Sequence, residues 1–173
     1  MQNKLLKIAV MAGLAGGLGC FAYFLFLYLN HFPSLITKKE ISISFNVLAM
    51  LGAVWYYSRQ KQQSLHLWEG LSLSYLTNFI AALTNATLIY LLMTQTQNEV
   101  LAQLMNESHQ LLEITKADIT RLQGENGYKQ LVESVKLITP GSLFWDEIIK
   151  KMLYGILPAL LISMYFRRVS YAR

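Results

Sequence analysis

The sequence predicts an all-α integral membrane protein, a four-helix bundle with an extramembrane amphipathic helical hairpin between spans three and four. Of its 173 residues 54% are hydrophobic and only 14% are charged, whereas a soluble domain carries about 25% charged residues. Residues 71–93 contain no Asp, Glu, Lys, Arg or His. As a helix this run is about 35 Å long, enough to cross a bilayer core of about 30 Å. We therefore expect a single membrane domain over residues 1–173, with spans at about 8–29, 41–57, 71–93 and 148–166.

Span one carries small residues at spacings of four, which form two flat stripes on one side of the helix. These residues are Ala9, Gly13 and Gly17 in one stripe, and Ala12, Gly16 and Cys20 in the other. Another helix backbone can approach such a surface closely, so we expect it to pack in the bundle or in a homo-oligomer.

Cys20 is the only cysteine, and its position in an apolar run predicts a small buried hydrophobic side chain. The alternative is a lipidated cysteine that follows a signal peptide. It is disfavoured because the apolar run continues over residues 21–29, so that no soluble mature domain begins there.

Span two is short, about 25 Å as a helix, and polar side chains such as Asn46 lie near its start. Ala49 and Ala53 form a second close-packing pair, four residues apart. Aromatic residues at 55–57 are typical of a membrane interface.

Span three has a polar face formed by Ser74, Asn78 and Asn85. The two asparagines lie two turns apart, about 10 Å along a helix. They either form hydrogen bonds to a neighbouring helix or line a path for a substrate or ion. The sequence favours the structural role, because no ionisable group accompanies them in this span.

Residues 95–138 leave the membrane as a helical hairpin with a turn signal at residues 124–127. An apolar stripe with helical period is expected to pack on the spans or, as a second hypothesis, to dock a partner. It includes Leu101, Leu104, Leu111, Leu112 and Ile119. A hairpin that packs on itself or lies on the bilayer is the remaining alternative.

Span four is predicted to follow a helix N-cap at Ser142 and to kink at Gly155 and Pro158. Four charged residues crowd its start, namely Asp146, Glu147, Lys150 and Lys151. Charged side chains near a helix end usually extend to the interface, so we expect these to form i,i+4 ion pairs there.

The distribution of basic residues predicts that both termini are cytoplasmic and that the hairpin is external. Four spans put both termini on one side, where seven basic residues face one acid, Glu69. The other side holds eight basic and nine acidic residues. The predicted location is a bacterial cytoplasmic membrane, and the bases at the span ends indicate topology instead of nucleic-acid binding.

The sequence offers no constellation typical of an enzyme. His31, His66 and His109 fall in three different connections, which disfavours a metal site. No P-loop, nucleophile elbow or Gly-rich dinucleotide turn occurs. We expect neither a cofactor nor a catalytic activity, and an enzyme would need a turnover that depends on Asp146 or Glu147.

The order of the spans resembles a bacterial family of small four-helix inner-membrane proteins known only as a domain of unknown function. The resemblance rests on residues 11–29, 57–59, 68–70 and 139–140, and on residues 160–162 with 167–168. Members tend to have a glycine between spans two and three, where this chain has residues 62–65, Gln-Gln-Ser-Leu. The resemblance implies topology and location but carries no activity and no catalytic residue.

Two hypotheses follow from the sequence. The first is an interaction or assembly component, with a homo-oligomer or a membrane-protein partner. The alternative is a small transporter or channel-like subunit that uses the polar face of span three.

Overall fold

The computed structural model describes residues 2–30, 40–61, 65–96 and 99–171. All regular structure in these ranges is helical, which confirms the all-α class. The helices are α1 (Gln2–Leu29), a short 3₁₀ turn (Glu40–Ser42), α2 (Ile43–Lys61), α3 (Leu67–Gln95), α4 (Glu99–Ile114), α5 (Lys116–Lys136) and α6 (Pro140–Tyr171).

Four helices, α1, α2, α3 and α6, pack around a shared core, with α3 in the central position. Helix α3 makes the most extensive contacts with α6 and α1, and it also contacts α2 and α4. The larger cluster of core residues draws on all four helices and includes Ala9, Met50, Ala53, Val54, Tyr57, Leu73, Ala159, Ile162 and Phe166. A second cluster joins α1 and α3 to the start of α4 through Phe24, Leu27, Ile89, Met93, Val100 and Leu104.

The small residues of α1 let two neighbouring helices approach its backbone. A Cβ at Gly17 would lie 2.7 Å from the carbonyl oxygen of Ala81, and one at Gly13 would lie 2.9 Å from that of Thr77. On the neighbouring side, a Cβ at Gly16 would lie 2.7 Å from the Cβ of Ala49, on α2. The small-residue face is therefore occupied by helices of the same chain.

Three helices among the described residues are long and apolar enough to cross a membrane. They are Lys4–Leu29, Leu67–Gln95 and Pro140–Arg167, with mean hydropathies of 1.9, 1.5 and 1.4 in their best windows. Helix α2, which contains most of the predicted second span, is not among them. It has only 19 residues, with Ser44 and Asn46 at its start and Arg59 and Lys61 in its last turn.

Helix α6 begins at Pro140, because Thr139 caps it in place of Ser142, the N-cap that the sequence predicts. The backbone N–H of Thr139 donates to Ser142 Oγ at 2.9 Å, and the N–H of Ser142 donates to Thr139 Oγ1 at 3.1 Å. Pro140 occupies the first helical position, where its missing N–H is not needed. The helix then continues through Pro158.

The segment formed by α4 and α5, here called the arm, bends sharply at Gly124, within the predicted turn. Gly124 has a φ of 76°, a left-handed conformation that glycine adopts without strain. The bend brings Lys116 Nζ to 5.3 Å from the ring centroid of Tyr128, although a straight helix would separate these residues by about 18 Å. The chain also leaves the helix at Thr115, a break that the sequence pattern did not predict.

Candidate functional site

An ion pair is buried between α6 and α3. Glu147 and Lys151 lie one turn apart on α6, and their exposed fractions are 8% and 3%. Lys151 Nζ lies 3.2 Å from Glu147 Oε1. The same carboxylate oxygen accepts a hydrogen bond from Asn85 Nδ2 at 3.1 Å, so α3 contributes directly to the pair.

A chain of hydrogen bonds connects the four packed helices next to this ion pair. Asn78 Nδ2 donates to the backbone carbonyl of Lys151 at 2.9 Å, and Asn46 Nδ2 donates to Asn78 Oδ1 at 3.0 Å. The thiol of Cys20 donates to Asn46 Oδ1 at 3.0 Å, and it also lies 3.1 Å from the carbonyl oxygen of Ser42. Cys20 thus extends the polar network to α1 and does not act merely as a small apolar side chain.

Two atoms of the network are incompletely bonded among the described residues. Asn85 Oδ1 is buried without a hydrogen-bond partner. Lys151 Nζ forms an ion pair with Glu147 at 3.2 Å, but it has no hydrogen-bond partner of good geometry among the described residues. Buried polar atoms normally find partners, so this region has unused hydrogen-bonding capacity.

The burial of Glu147 and Lys151 contradicts two expectations from the sequence. These side chains do not extend to the interface, and the asparagines of α3 do have ionisable neighbours. The expectation was wrong because Glu147 and Lys151 lie on the face of α6 that packs against α3, where Asn85 bonds to the Glu147 carboxylate. Only the pair of Asp146 and Lys150, separated by 2.9 Å and nearly half exposed, fits the expected surface position.

One sequence signal could have located the buried pair. Every fourth residue of α6 from 147 to 163 is buried, and the last three of these residues are small. They are Glu147, Lys151, Gly155, Ala159 and Ser163. A line of small residues that continues from a charged pair indicates that the pair faces a neighbouring helix.

The other residues singled out from the sequence take different positions. Ser74 is buried on α3, and its hydroxyl lacks a partner among the described residues. Ala9 and Ala53 are in the core, whereas Ala12 and Ala49 are half-buried.

The apolar stripe of the arm divides into two parts. Leu104 is 5% exposed and packs on α1 and α3, so it is not available to a partner. Leu101, Leu112 and Ile119 are half-buried, and Leu111 is exposed.

In the part of the chain that the structure describes, no three His, Cys, Asp or Glu side chains cluster closely enough to hold a metal ion. His31 lies outside the described residues, and the other two histidines are in separate segments.

The architecture defines a class: helical proteins with three helices that could insert in a membrane and a charged centre between packed helices. Residues 12–168 match the family described as "Protein of unknown function (DUF4199)", and the chain belongs to this family. Neither the curated proteins nor the solved structures include a match to it.

Proposed function

We propose that the chain is a multi-pass protein of a bacterial cytoplasmic membrane, with α1, α2, α3 and α6 as four spans. Helix α2 is about 28 Å long, close to the thickness of a bilayer core. Its outward residues Leu48, Leu51 and Trp55 are apolar and between 44% and 64% exposed, which suits contact with lipid. The distribution of basic residues supports cytoplasmic termini and an external arm.

The topology is tested by cysteine accessibility in a Cys20→Ser background. Gln60→Cys should react with a membrane-impermeant maleimide only after the cytoplasmic face is exposed, and Glu125→Cys, at an exposed position next to Gly124, should react from outside. Reaction of both positions from one side would contradict the four-span arrangement.

The function that the geometry supports best is proton transport across the membrane, with Glu147 as the group that binds the proton. The observation that carries this proposal is the burial of Glu147 and Lys151 between helices of membrane-spanning length. Ionisable residues in such segments are rare and commonly mark ion paths or proton relays.

Stability alone does not account for the pair. Removing two charges from water costs several kcal/mol per ion, and apolar residues of similar size often stabilise a fold as well or better. Protonation of Glu147 would instead leave Lys151 as an uncompensated charge in the α3–α6 contact. Because α3 also bonds to this carboxylate through Asn85, proton binding would change the packing of the two helices.

The test is proton uptake into liposomes that contain the purified protein and a trapped pH-sensitive dye, with the membrane potential clamped. The wild-type protein should acidify the interior faster than protein-free liposomes do, and Glu147→Gln should remove that difference. Asp146→Asn is the matched control, because Asp146 forms the same i,i+4 pair on the exposed side of α6. Equal rates for wild-type and protein-free liposomes, or an unchanged rate for Glu147→Gln, would refute proton transport.

Assembly with a partner is a second candidate function, and the exposed apolar residues of the arm favour it. Ile114, Leu122 and Leu137 are 80%, 83% and 76% exposed. Purification in mild detergent, with mass determination, should then yield a defined complex that Leu122→Asp dissociates. A chain that purifies alone as a monomer would exclude both a partner and a homo-oligomer. The proposal assigns no enzymatic activity, no cofactor and no nucleic-acid partner.

A further inference from the structure

A small cavity lies at the end of the bundle to which the arm is attached, and Glu147 is part of its wall. The space open to the centre of a water molecule is about 10 Å³, enough for about one water. Around Glu147 the wall is mostly apolar and includes Phe24, Ala86, Met93, Leu104 and Leu143. Glu147 is the one charged side chain among these lining residues.

The first turns of the arm close this cavity. Val100 and Leu104 are 0% and 5% exposed, and they pack against Phe24, Leu27 and Met93. Farther along the arm, Leu111 and Ile114 are 45% and 80% exposed. The part of the arm that is firmly seated is therefore the part that covers the cavity beside Glu147.

We propose that this cavity is the site through which water and protons reach Glu147, and that Leu104 controls the access. The inference rests on the proposed proton transport and specifies the side from which the proton arrives, the side of the arm. A hydronium ion transfers its proton to the carboxylate of Glu147, where an O–H bond forms, and a neutral water molecule remains. The groups that face Glu147 include Lys151 on α6 and Asn85 on α3, and the Cys20 thiol on α1 lies within electrostatic reach of both charges.

The size and the apolar wall of the cavity restrict the access of water to Glu147. One water beside Glu147 is all that the cavity admits, and its apolar wall offers that water few partners. Movement of Leu104 away from the bundle would widen the path without disturbing the hydrogen bond from Asn46 to Asn78, since neither residue is among those that line the cavity.

The test measures the accessibility of Glu147 directly, in full-length protein in nanodiscs. A water-soluble carbodiimide and an amine convert accessible protonated carboxyl groups to amides, which peptide mass spectrometry quantifies. Asp146, the neighbouring and nearly half-exposed carboxyl group, is the internal reference for reagent and pH. The quantity compared is the labelling of Glu147 divided by that of Asp146.

Leu104→Ala should raise this ratio about tenfold or more, since a Leu→Ala change in a packed contact weakens it by a few kcal/mol. Leu111→Ala, on the exposed part of the arm, is the control and should leave the ratio unchanged. Ala86→Val, which adds volume to the cavity wall, should lower it. Equal ratios for wild type, Leu104→Ala and Ala86→Val would overturn the inference.

The two proposals fail separately. If the ratio responds to Leu104→Ala but liposomes show no proton uptake, the access path stands and proton transport is refuted. If Glu147→Gln abolishes proton uptake while Leu104→Ala and Ala86→Val leave the labelling ratio of Glu147 to Asp146 unchanged, protons reach Glu147 by another route and the access inference is refuted.

Discussion

The side-chain amide of Asn78 occupies the space that a Cβ atom at Gly155 would need. An added Cβ there would overlap Asn78 Nδ2, the atom that donates to the backbone carbonyl of Lys151. Gly155 therefore allows α3 to place a hydrogen-bonding side chain directly against the backbone of α6. This contact holds the asparagine network next to the buried ion pair.

Gly155→Ala should lower the free energy of unfolding by about 1–3 kcal/mol, because the added methyl group forces Asn78 out of its position. The measurement is thermal unfolding in detergent, followed by circular dichroism. Gly52→Ala is the matched control: a Cβ at Gly52 meets no atom within 4 Å, and alanine should stabilise α2 by up to about 1 kcal/mol. Equal effects of the two substitutions would show that the contact of Asn78 with Gly155 contributes nothing.

Asn85→Leu should destabilise the protein by about 1–3 kcal/mol, since Glu147 would lose a hydrogen bond in a buried site. Thr87→Leu provides the comparison on the same helix, because Thr87 is exposed and bonds only within its own turn. We expect a change within about 0.5 kcal/mol for Thr87→Leu. If Asn85→Leu lowered the free energy of unfolding by no more than Thr87→Leu does, the hydrogen bond from Asn85 to the Glu147 carboxylate would contribute nothing to stability.

Lys151→Met alone should cost about 3–5 kcal/mol, because it leaves the carboxylate of Glu147 buried without its cation. The double variant Glu147→Gln/Lys151→Met should regain most of this loss. The corresponding cycle at Asp146 and Lys150 should give a coupling below about 1 kcal/mol, as exposed pairs do. Denaturation of all variants gives both coupling energies, and similar values would mean that burial of the inner pair has no energetic effect.

The same double variant separates stability from transport. With both charges of the pair replaced by neutral side chains, the protein should fold and stay monodisperse, yet it should show no proton uptake in liposomes. Uptake at the wild-type rate would show that the charged pair is dispensable for transport.

Thr139→Ala should destabilise the start of α6 by about 1 kcal/mol, because it removes the hydroxyl that accepts from the N–H of Ser142. Fraying there would expose the first turns of α6, which include Leu143 in the cavity wall. Limited proteolysis between the arm and α6 measures the effect. Thr94→Ala, at an exposed position near the end of α3, should leave that cleavage rate unchanged.

Much of the helical framework could be predicted from local patterns. The charge-free run that became α3, the small-residue stripes of α1 and the glycine turn at Gly124 each depend on a few neighbouring residues. Membrane insertion of α2, which the sequence predicts, stays a prediction, because polar side chains at both ends lower the hydropathy of this short helix and it is not among the three apolar helices found in the described residues.

The candidate site could not be predicted in the same way. Two i,i+4 ion pairs overlap at residues 146–151, and the local sequence does not say which one turns inward. The choice depends on the position of Asn85 and on the small residues that follow Lys151, so it is fixed by the packing of α6 on α3. The hydrogen bond from Cys20 on α1 to Asn46 could not be predicted either, because the sequence around Cys20 is typical of an apolar position.

The single thiol of Cys20 can serve as a natural probe for the separation of α1 and α2. It is 0% exposed and donates across the contact between α1 and α2, so an alkylating reagent reaches it only when those helices separate. Because the chain has no other cysteine, alkylation of the unmodified protein reports on this one contact, and at reagent concentrations where labelling outpaces reclosing its rate equals the rate of opening. The opening of these helices can thus be measured without a substitution.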